Sequence, residues 1–363
     1  MGIAIQLTNL FPAMAIAFIV TVALMFAFRP LAIGVGLIDH PGGRKFHDGG
    51  VPVIGGVAMF SGIYIGLSLL GLPSKIEISV LLGSILLLVV GVADDRFRVS
   101  PVARIATQVA VVLVMYFGAG LRLSDIGDPF SLGVIELGQF SLIFTLLVTV
   151  TMVNAYNLID GADGLAGSLT LIAMLSVAAV AGIENVYSMV ALTVLAATAG
   201  FLVFNFPASW NIRLRAFMGD AGSTLLGFTI VWVTLGVCQG SERVISPVHC
   251  LWFAALPIFD LLTCFVHRIR KGKSPFLPGR DHAHHILLRG GFHTRRKLSI
   301  LTGIQMIYSI IGITGHFAGV PDHVMFAAWS VLGLSQGFVI RLIARKYRLH
   351  LQSKSKRRCV SAT

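Results

Sequence analysis

The feature that most limits how this chain can fold is a series of eleven apolar runs. They lie at roughly 9–28, 53–71, 77–93, 104–119, 140–156, 165–182, 186–204, 221–238, 248–267, 298–317 and 323–342. Each is about 16–21 residues long, which suits a helix crossing about 30 Å of hydrocarbon. Composition agrees. Apolar residues make up 56% of the chain, charged residues only 12%, and the mean hydropathy is +0.86, whereas a soluble domain carries about 25% charged residues. The expected fold is all-α: a polytopic integral membrane protein of about eleven transmembrane helices. Residues 1–342 are expected to form one transmembrane domain, and residues 343–363 a basic cytosolic tail.

Charge placement sets the expected orientation. An odd number of spans puts the termini on opposite sides. No Lys or Arg precedes the first run and Arg29 follows it, so the N-terminus is expected outside and the C-terminus in the cytosol. Cytosolic loops then hold 25 of the 28 basic residues, all but Lys75, Arg122 and Arg243. The inverted orientation would break the positive-inside pattern almost everywhere. This distribution accounts for the net charge of +12 without nucleic acid as a partner. With no basic segment ahead of it, the first run is expected to be retained rather than cleaved as a leader. Cys238, Cys250, Cys264 and Cys359 show no metal-ligand spacing; for Cys238 and Cys250, a disulfide and two buried thiols both remain open. The basic tail suits either anionic lipid, at about 1 kcal/mol per charge near the surface, or a disordered stop.

Polar motifs collect at the cytosolic ends of the runs. A charge at the bilayer centre costs roughly 2.5–3.5 kcal/mol or more, so each calls for a reason. The densest is Asn154-Ala-Tyr-Asn157-Leu-Ile-Asp160-Gly-Ala-Asp163-Gly. Its Asn and Asp residues recur every third position, with Asp160 and Asp163 as helix-surface neighbours. Gly161 and Gly164 suggest a helix end opening into a loop. A turn that merely needs capping would use one carboxylate, not two beside two amides.

Four further clusters accompany it. Arg44, Lys45 and His47 precede Gly49-Gly50 and Gly55-Gly56, a composition suited to a phosphate-facing loop, although positive-inside charge alone also explains the cations. Asp94 and Asp95 close the third run; adjacent helical residues point about 100° apart, so one can face a site while the other orients a partner. Asp220, in Met218-Gly219-Asp220-Ala221-Gly222-Ser223, opens the eighth run as either a ligand or an N-cap. Arg280-Asp281-His282-Ala283-His284-His285, with Arg289, could hold Zn²⁺ or an anion, and the surrounding Arg and Lys favour the anion. Asp260 lies inside the ninth run, where a functional role and a structural hydrogen bond are equally open.

Together, in this order and on one face, these motifs resemble the polyprenyl-phosphate N-acetylhexosamine-1-phosphate transferase family, from Asp39 to Phe292. The resemblance implies eleven helices in the bacterial cytoplasmic (inner) membrane and an active site on the cytosolic face. It further implies a Mg²⁺ or Mn²⁺ ion, UDP-N-acetylglucosamine as donor, undecaprenyl phosphate as acceptor, UMP as leaving product, and a place at the start of O-antigen or other surface polysaccharide synthesis. Asp94 and Asp95 match the family's paired aspartates. Asn157, Asp160 and Asp163 match its Asn-Asp-Asp motif, Asp220 its metal-binding aspartate, and His282, His284 and His285 its histidine motif. Catalytic roles are thus expected for Asp94, Asp95, Asp160 and Asp163, and metal ligation for Asp220 and Asn157. Substrate contacts are expected for Arg44, Lys45, His47, Arg104, Asn154, Arg280, His282, His284, His285 and Arg289. One departure follows Asp95, where the family pattern has a Lys near Val102 and this chain offers Arg104. A homodimer and the exact UDP-N-acetylhexosamine remain open.

The chemistry of the residues points the same way. A phosphate monoester has a second pKa of about 6 and is largely dianionic at neutral pH, so its attack on a diphosphate needs placement and charge neutralisation more than a strong base. An intramembrane prenyltransferase is the nearest enzyme rival, but it requires neither the histidine loop nor the Asp220 motif. A transporter would place ionisable groups near the midplane on broken helices, whereas these acids gather at one face.

Overall fold

A computed structural model of the chain describes residues 2–39, 49–72, 74–207, 214–240, 243–274, 279 and 281–360. Among them are thirteen α-helices: α1 Gly2–Val35, α2 Gly55–Ser68, α3 Ser74–Phe97, α4 Pro101–Leu113, α5 Ser141–Ile159, α6 Leu165–Ala181, α7 Val186–Asn205, α8 Gly219–Cys238, α9 Pro247–Cys250, α10 Ala255–Arg270, α11 Ala283–Arg289, α12 Thr294–Phe317 and α13 Asp322–Val360. Each of the eleven apolar runs coincides with a helix. Nine helical segments of the described residues are long and apolar enough to cross a membrane; the segment Pro247–Arg270 joins α9 and α10 through a 3₁₀ turn at Leu251–Ala254. The helices α2 and α6, at 14 and 17 residues, are apolar but shorter. The chain is an all-α, polytopic membrane protein.

The innermost helix is α8. Of its apolar window 89% is buried, against 17% for α13 and 28% for α1, which present most of their surface outward. Sequence dictates this. Phe228 and Trp232 are fully buried, and the small residues at its start let neighbours approach. A Cβ on Gly91 of α3 would stand 2.3 Å from Ala221 Cα, and one on Gly56 of α2 would stand 2.5 Å from Gly222 N. Close approach through small residues is the ordinary basis of helix packing in lipid, where burial from water supplies no drive.

A two-stranded ribbon, β1 Ile38–Asp39 paired with β2 Val51–Pro52, joins α1 to α2. It continues as a bridge from Val53 to Phe217, and Phe217 N–H donates to Pro52 O at 3.0 Å. The base of the first loop is thereby fastened beside the start of α8. Arg44, Lys45 and His47 in that loop, and Arg280, lie outside the described residues. The basic tail continues α13 as helix to Val360. Its first turns pack where α11 turns into α12: Tyr347 stacks on Phe292 at 4.0 Å, and its ring lies under Arg296. Cys238, Cys250 and Cys264 are buried free thiols.

Candidate active site

The polar motifs gather at one end of the bundle, where α3, α5, α7 and α10 finish and α4, α6, α8 and α11 begin. They form two adjoining clusters. The first lines a partly open cleft walled by Leu87, Val90 and Gly91 of α3 and by polar groups of α4, α5 and α8. Asp94 is almost buried and accepts from Val99 N–H at 2.7 Å and from Arg104 Nη1 at 2.9 Å. The same Arg104 nitrogen lies 3.8 Å from Asp220. Asn157 Nδ2 donates to Asp220 Oδ1 at 2.6 Å and to Ser223 Oγ at 3.1 Å. Asn154 Nδ2 donates to Gln108 Oε1 at 2.8 Å. Arg104 thus bridges two carboxylates that would otherwise repel.

The adjacent Asp95 does something different. It accepts from the N–H groups of Asp220 at 2.9 Å and Ala221 at 3.4 Å. These are unpaired donors of the first turn of α8, whose own N-cap residue, Met218, makes no side-chain cap bond. Asp95 thus caps α8 from across the bundle. Asp220 is relieved of the capping role, and its carboxylate faces the cleft. Gly219 makes this possible: its φ is +71°, and a Cβ there would stand 2.3 Å from Asp95 Oδ2. The pair Asp94-Asp95 divides as adjacent helical residues can, one into the cleft and one onto a neighbouring helix.

The second cluster joins the loop after α5 to the histidine loop. Asp160 ends α5, and Asp163 makes an ion pair with Arg215, whose guanidinium also lies over the Phe217 ring at 5.1 Å. His284 is buried, and a Cβ on Gly161 would stand 2.3 Å from its Nε2. Neither ring nitrogen of His284 has a hydrogen-bond partner among the described residues. Burial, with the charges of His285, His282 and Lys297 adding to it, pushes its pKa well below the usual histidine value, so it is held neutral. His282 is also buried; Asp260 Oδ2 lies 2.8 Å from its Nδ1, and Asp260 Oδ1 accepts from Ala283 N–H at 2.7 Å. The intramembrane Asp260 is therefore committed to the histidine loop. His285 is half-buried with its ring 4.2 Å from that of His284, and Arg289 is exposed at the end of α11.

Of the expected site residues, Asp94, Arg104, Asn154, Asn157 and Asp220 line the cleft. Asp160, Asp163, His282, His284, His285 and Arg289 belong to the second cluster, and Asp95 stands behind the cleft. Sequence reasoning missed Thr107, Gln108 and Thr224 in the cleft wall, and Arg215. The first three are polar residues in apolar helices, a weak signal because Thr commonly bonds its own helix, as Thr224 Oγ1 does to Asp220 O at 2.7 Å. Arg215 carries no sequence signal beyond positive-inside charge.

Residues 77–237, which hold the whole cleft, match glycosyl transferase family 4. A Salmonella typhi protein named undecaprenyl-phosphate alpha-N-acetylglucosaminyl 1-phosphate transferase is 34% identical over 352 residues, covering 93% of this chain and 95% of its own. The chain belongs to glycosyl transferase family 4. Proteins of the same name from Yersinia pestis and Escherichia coli K12 are 32% and 33% identical, the first over 95% of both chains and the second over 89% of both. Membership in glycosyl transferase family 4 sets aside the prenyltransferase and transporter readings.

Proposed function

We propose that this membrane enzyme transfers N-acetylglucosamine-1-phosphate from UDP-N-acetylglucosamine to undecaprenyl phosphate and releases UMP, in the bacterial cytoplasmic membrane, with its cleft on the cytosolic face. The resulting lipid-diphospho-sugar would start a surface polysaccharide such as O-antigen. The observation that carries the reading is continuous similarity, over nearly the whole chain, to proteins named for this transfer. An oxygen of the acceptor phosphate attacks the sugar-side phosphorus of the donor; the new P–O bond replaces the P–O bond to UMP, which leaves with the electron pair.

The donor set around the cleft is all oxygen: the carboxylates of Asp94 and Asp220 and the amide of Asn157. That set fits a hard divalent ion, Mg²⁺ or Mn²⁺, which takes few protein carboxylates beside substrate phosphates and water. Held by Asp220 with Asp94 and Asn157, the ion would neutralise charge on the donor diphosphate. Arg104 adds a fixed positive charge at the same mouth. Asp95 fixes the first turn of α8 and hence where Asp220 stands. Arg289, with the cations expected of Arg44, Lys45, His47 and Arg280, would supply donors for the anionic groups of the UDP-sugar, and His282 an acceptor for one of its hydroxyl or N–H groups.

Purified protein given UDP-N-acetylglucosamine, undecaprenyl phosphate and Mg²⁺ should yield the lipid-diphospho-sugar by mass spectrometry and UMP in equal amount. A parallel panel of UDP-N-acetylgalactosamine and other UDP-sugars ranks the donors. Release of UDP instead of UMP, or no product from any UDP-sugar by folded protein, would refute the reading.

A further inference from the structure

We infer that Asp260 is a positioning residue that fixes the Nδ1–H tautomer of His282 and ties the histidine loop to the membrane core. An acid inside a membrane helix is costly unless fully partnered, and Asp260, 4% exposed, uses both oxygens on one short stretch: Oδ1 on Ala283 N–H and Oδ2 on His282 Nδ1. A carboxylate can only accept, so the Nδ1 nitrogen carries the proton and Nε2 is left as the ring's acceptor. The bond to Ala283 N–H adds a second constraint. His282 precedes α11 without a side-chain cap bond of its own, and Asp260 supplies the cap from α10. One buried carboxylate thus sets the ring's tautomer, its direction and the start of the helix bearing His284, His285 and Arg289.

Cys264 Sγ lies 3.4 Å from the same Nδ1, and the three side chains are close enough to suggest a metal ion. The geometry favours the hydrogen bond. Two ligand atoms on tetrahedral Zn²⁺, each about 2.0 Å from it, stand about 3.3 Å apart; the 2.8 Å between Asp260 and His282 is hydrogen-bond length. The carboxylate-to-imidazole contact instead has the form of the outer partner that orients a functional histidine.

This inference rests on the reading that His282 contacts the UDP-sugar, where its unprotonated Nε2 can accept from a hydroxyl or N–H of that molecule. The sharpest perturbation is Asp260→Asn. Both Asp260 oxygens accept, so an amide must turn its NH₂ toward one of two donors; with its oxygen kept on Ala283 N–H, it presents a donor to Nδ1 and drives the ring to the Nε2–H tautomer. Nitrogen NMR of histidine-labelled protein in detergent, with His282 assigned by its loss in His282→Ala, should show Nδ1–H in the wild type and Nε2–H in Asp260→Asn. In kinetics, Asp260→Asn should raise the KM for UDP-N-acetylglucosamine about tenfold, the scale of one hydrogen bond lost when Nε2 turns from acceptor to donor, leave the KM for undecaprenyl phosphate unchanged, and add nothing in a His282→Ala background.

Several results would overturn the assignment: an Nε2–H tautomer in the wild type, which needs no variant to fold; an equal kinetic loss from Asp260→Asn with or without His282; or stoichiometric Zn²⁺ in the wild type that disappears in Asp260→Asn. The NMR result does not depend on turnover. A failure of the proposed reaction therefore leaves it readable, and a failure of the tautomer leaves the reaction standing.

Discussion

Asp95 should act on activity through the placement of α8. Asp95→Ala removes the acceptor for two N–H groups at the start of the most buried helix. Losing a side-chain cap costs about 0.5–2 kcal/mol, and losing an anion at a partly buried helix N-terminus adds roughly 0.3–1 kcal/mol, so the sum is about 1–3 kcal/mol. Asp95→Asn keeps the acceptor for Asp220 N–H but loses the charge, at about 0.3–1 kcal/mol, and turns its NH₂ toward Ala221 N–H, whose bond at 3.4 Å is the weaker of the two. Thermal unfolding in detergent should therefore rank wild type above Asp95→Asn above Asp95→Ala, with turnover falling in the same order, because Asp220 is the residue whose N–H is held. Gly219→Ala should resemble Asp95→Ala, since its Cβ would collide with the Asp95 carboxylate. Asp94→Asn, which alters the cleft and not the cap, should lower turnover far more than the unfolding midpoint. An unchanged midpoint for Asp95→Ala, or complete loss of turnover in a fully stable Asp95→Asn, would refute the capping argument and make Asp95 a residue that meets substrate.

Two other expectations follow from the charges. In a background lacking the four native cysteines, a cysteine placed at exposed Ser124 should react with an impermeant thiol reagent in intact cells, and one at exposed Ser274 should not; the reverse would put the cleft on the wrong side of the membrane. His284, held neutral with its folded pKa depressed, contributes no penalty above the unfolded value of about 6.5, while below it the unfolded chain takes up a proton that the folded protein refuses. Stability should then fall by up to about 1.4 kcal/mol per pH unit below that point, and His284→Gln should flatten the loss between pH 6.5 and 5; an identical slope in both proteins would show that His284 is not buried neutral.

Much of this arrangement is legible in the residues, and the remainder is hidden for physical reasons. The apolar runs locate the helices because hydrocarbon thickness sets their length. Asp94, Arg104, Asn154, Asn157 and Asp220 stand out because charges and amides at the ends of apolar runs need partners. What each partner is depends on contacts between segments far apart in the chain. That Asp95, rather than Asp220, caps α8 joins residues 125 positions apart, and no local pattern records it. The histidine loop is visible as a cluster, but the burial of His284 against Gly161 and the commitment of His282 to Asp260 come from packing. The ribbon Ile38–Asp39 with Val51–Pro52 has two residues per strand, too few to show an alternation.

We propose that Asp220 presents its charge to a cation-bound diphosphate in the cleft. Asp220→Asn tests it most directly, because the cap of α8 belongs to Asp95 and the amide can still accept from Asn157. Turnover of UDP-N-acetylglucosamine should be measured across Mg²⁺ and Mn²⁺ titrations, with thermal unfolding recorded on the same preparation. The expected result is an unchanged unfolding midpoint and a collapse in turnover at ordinary Mg²⁺, partly restored by high Mn²⁺. Near-normal turnover at ordinary Mg²⁺ would contradict it.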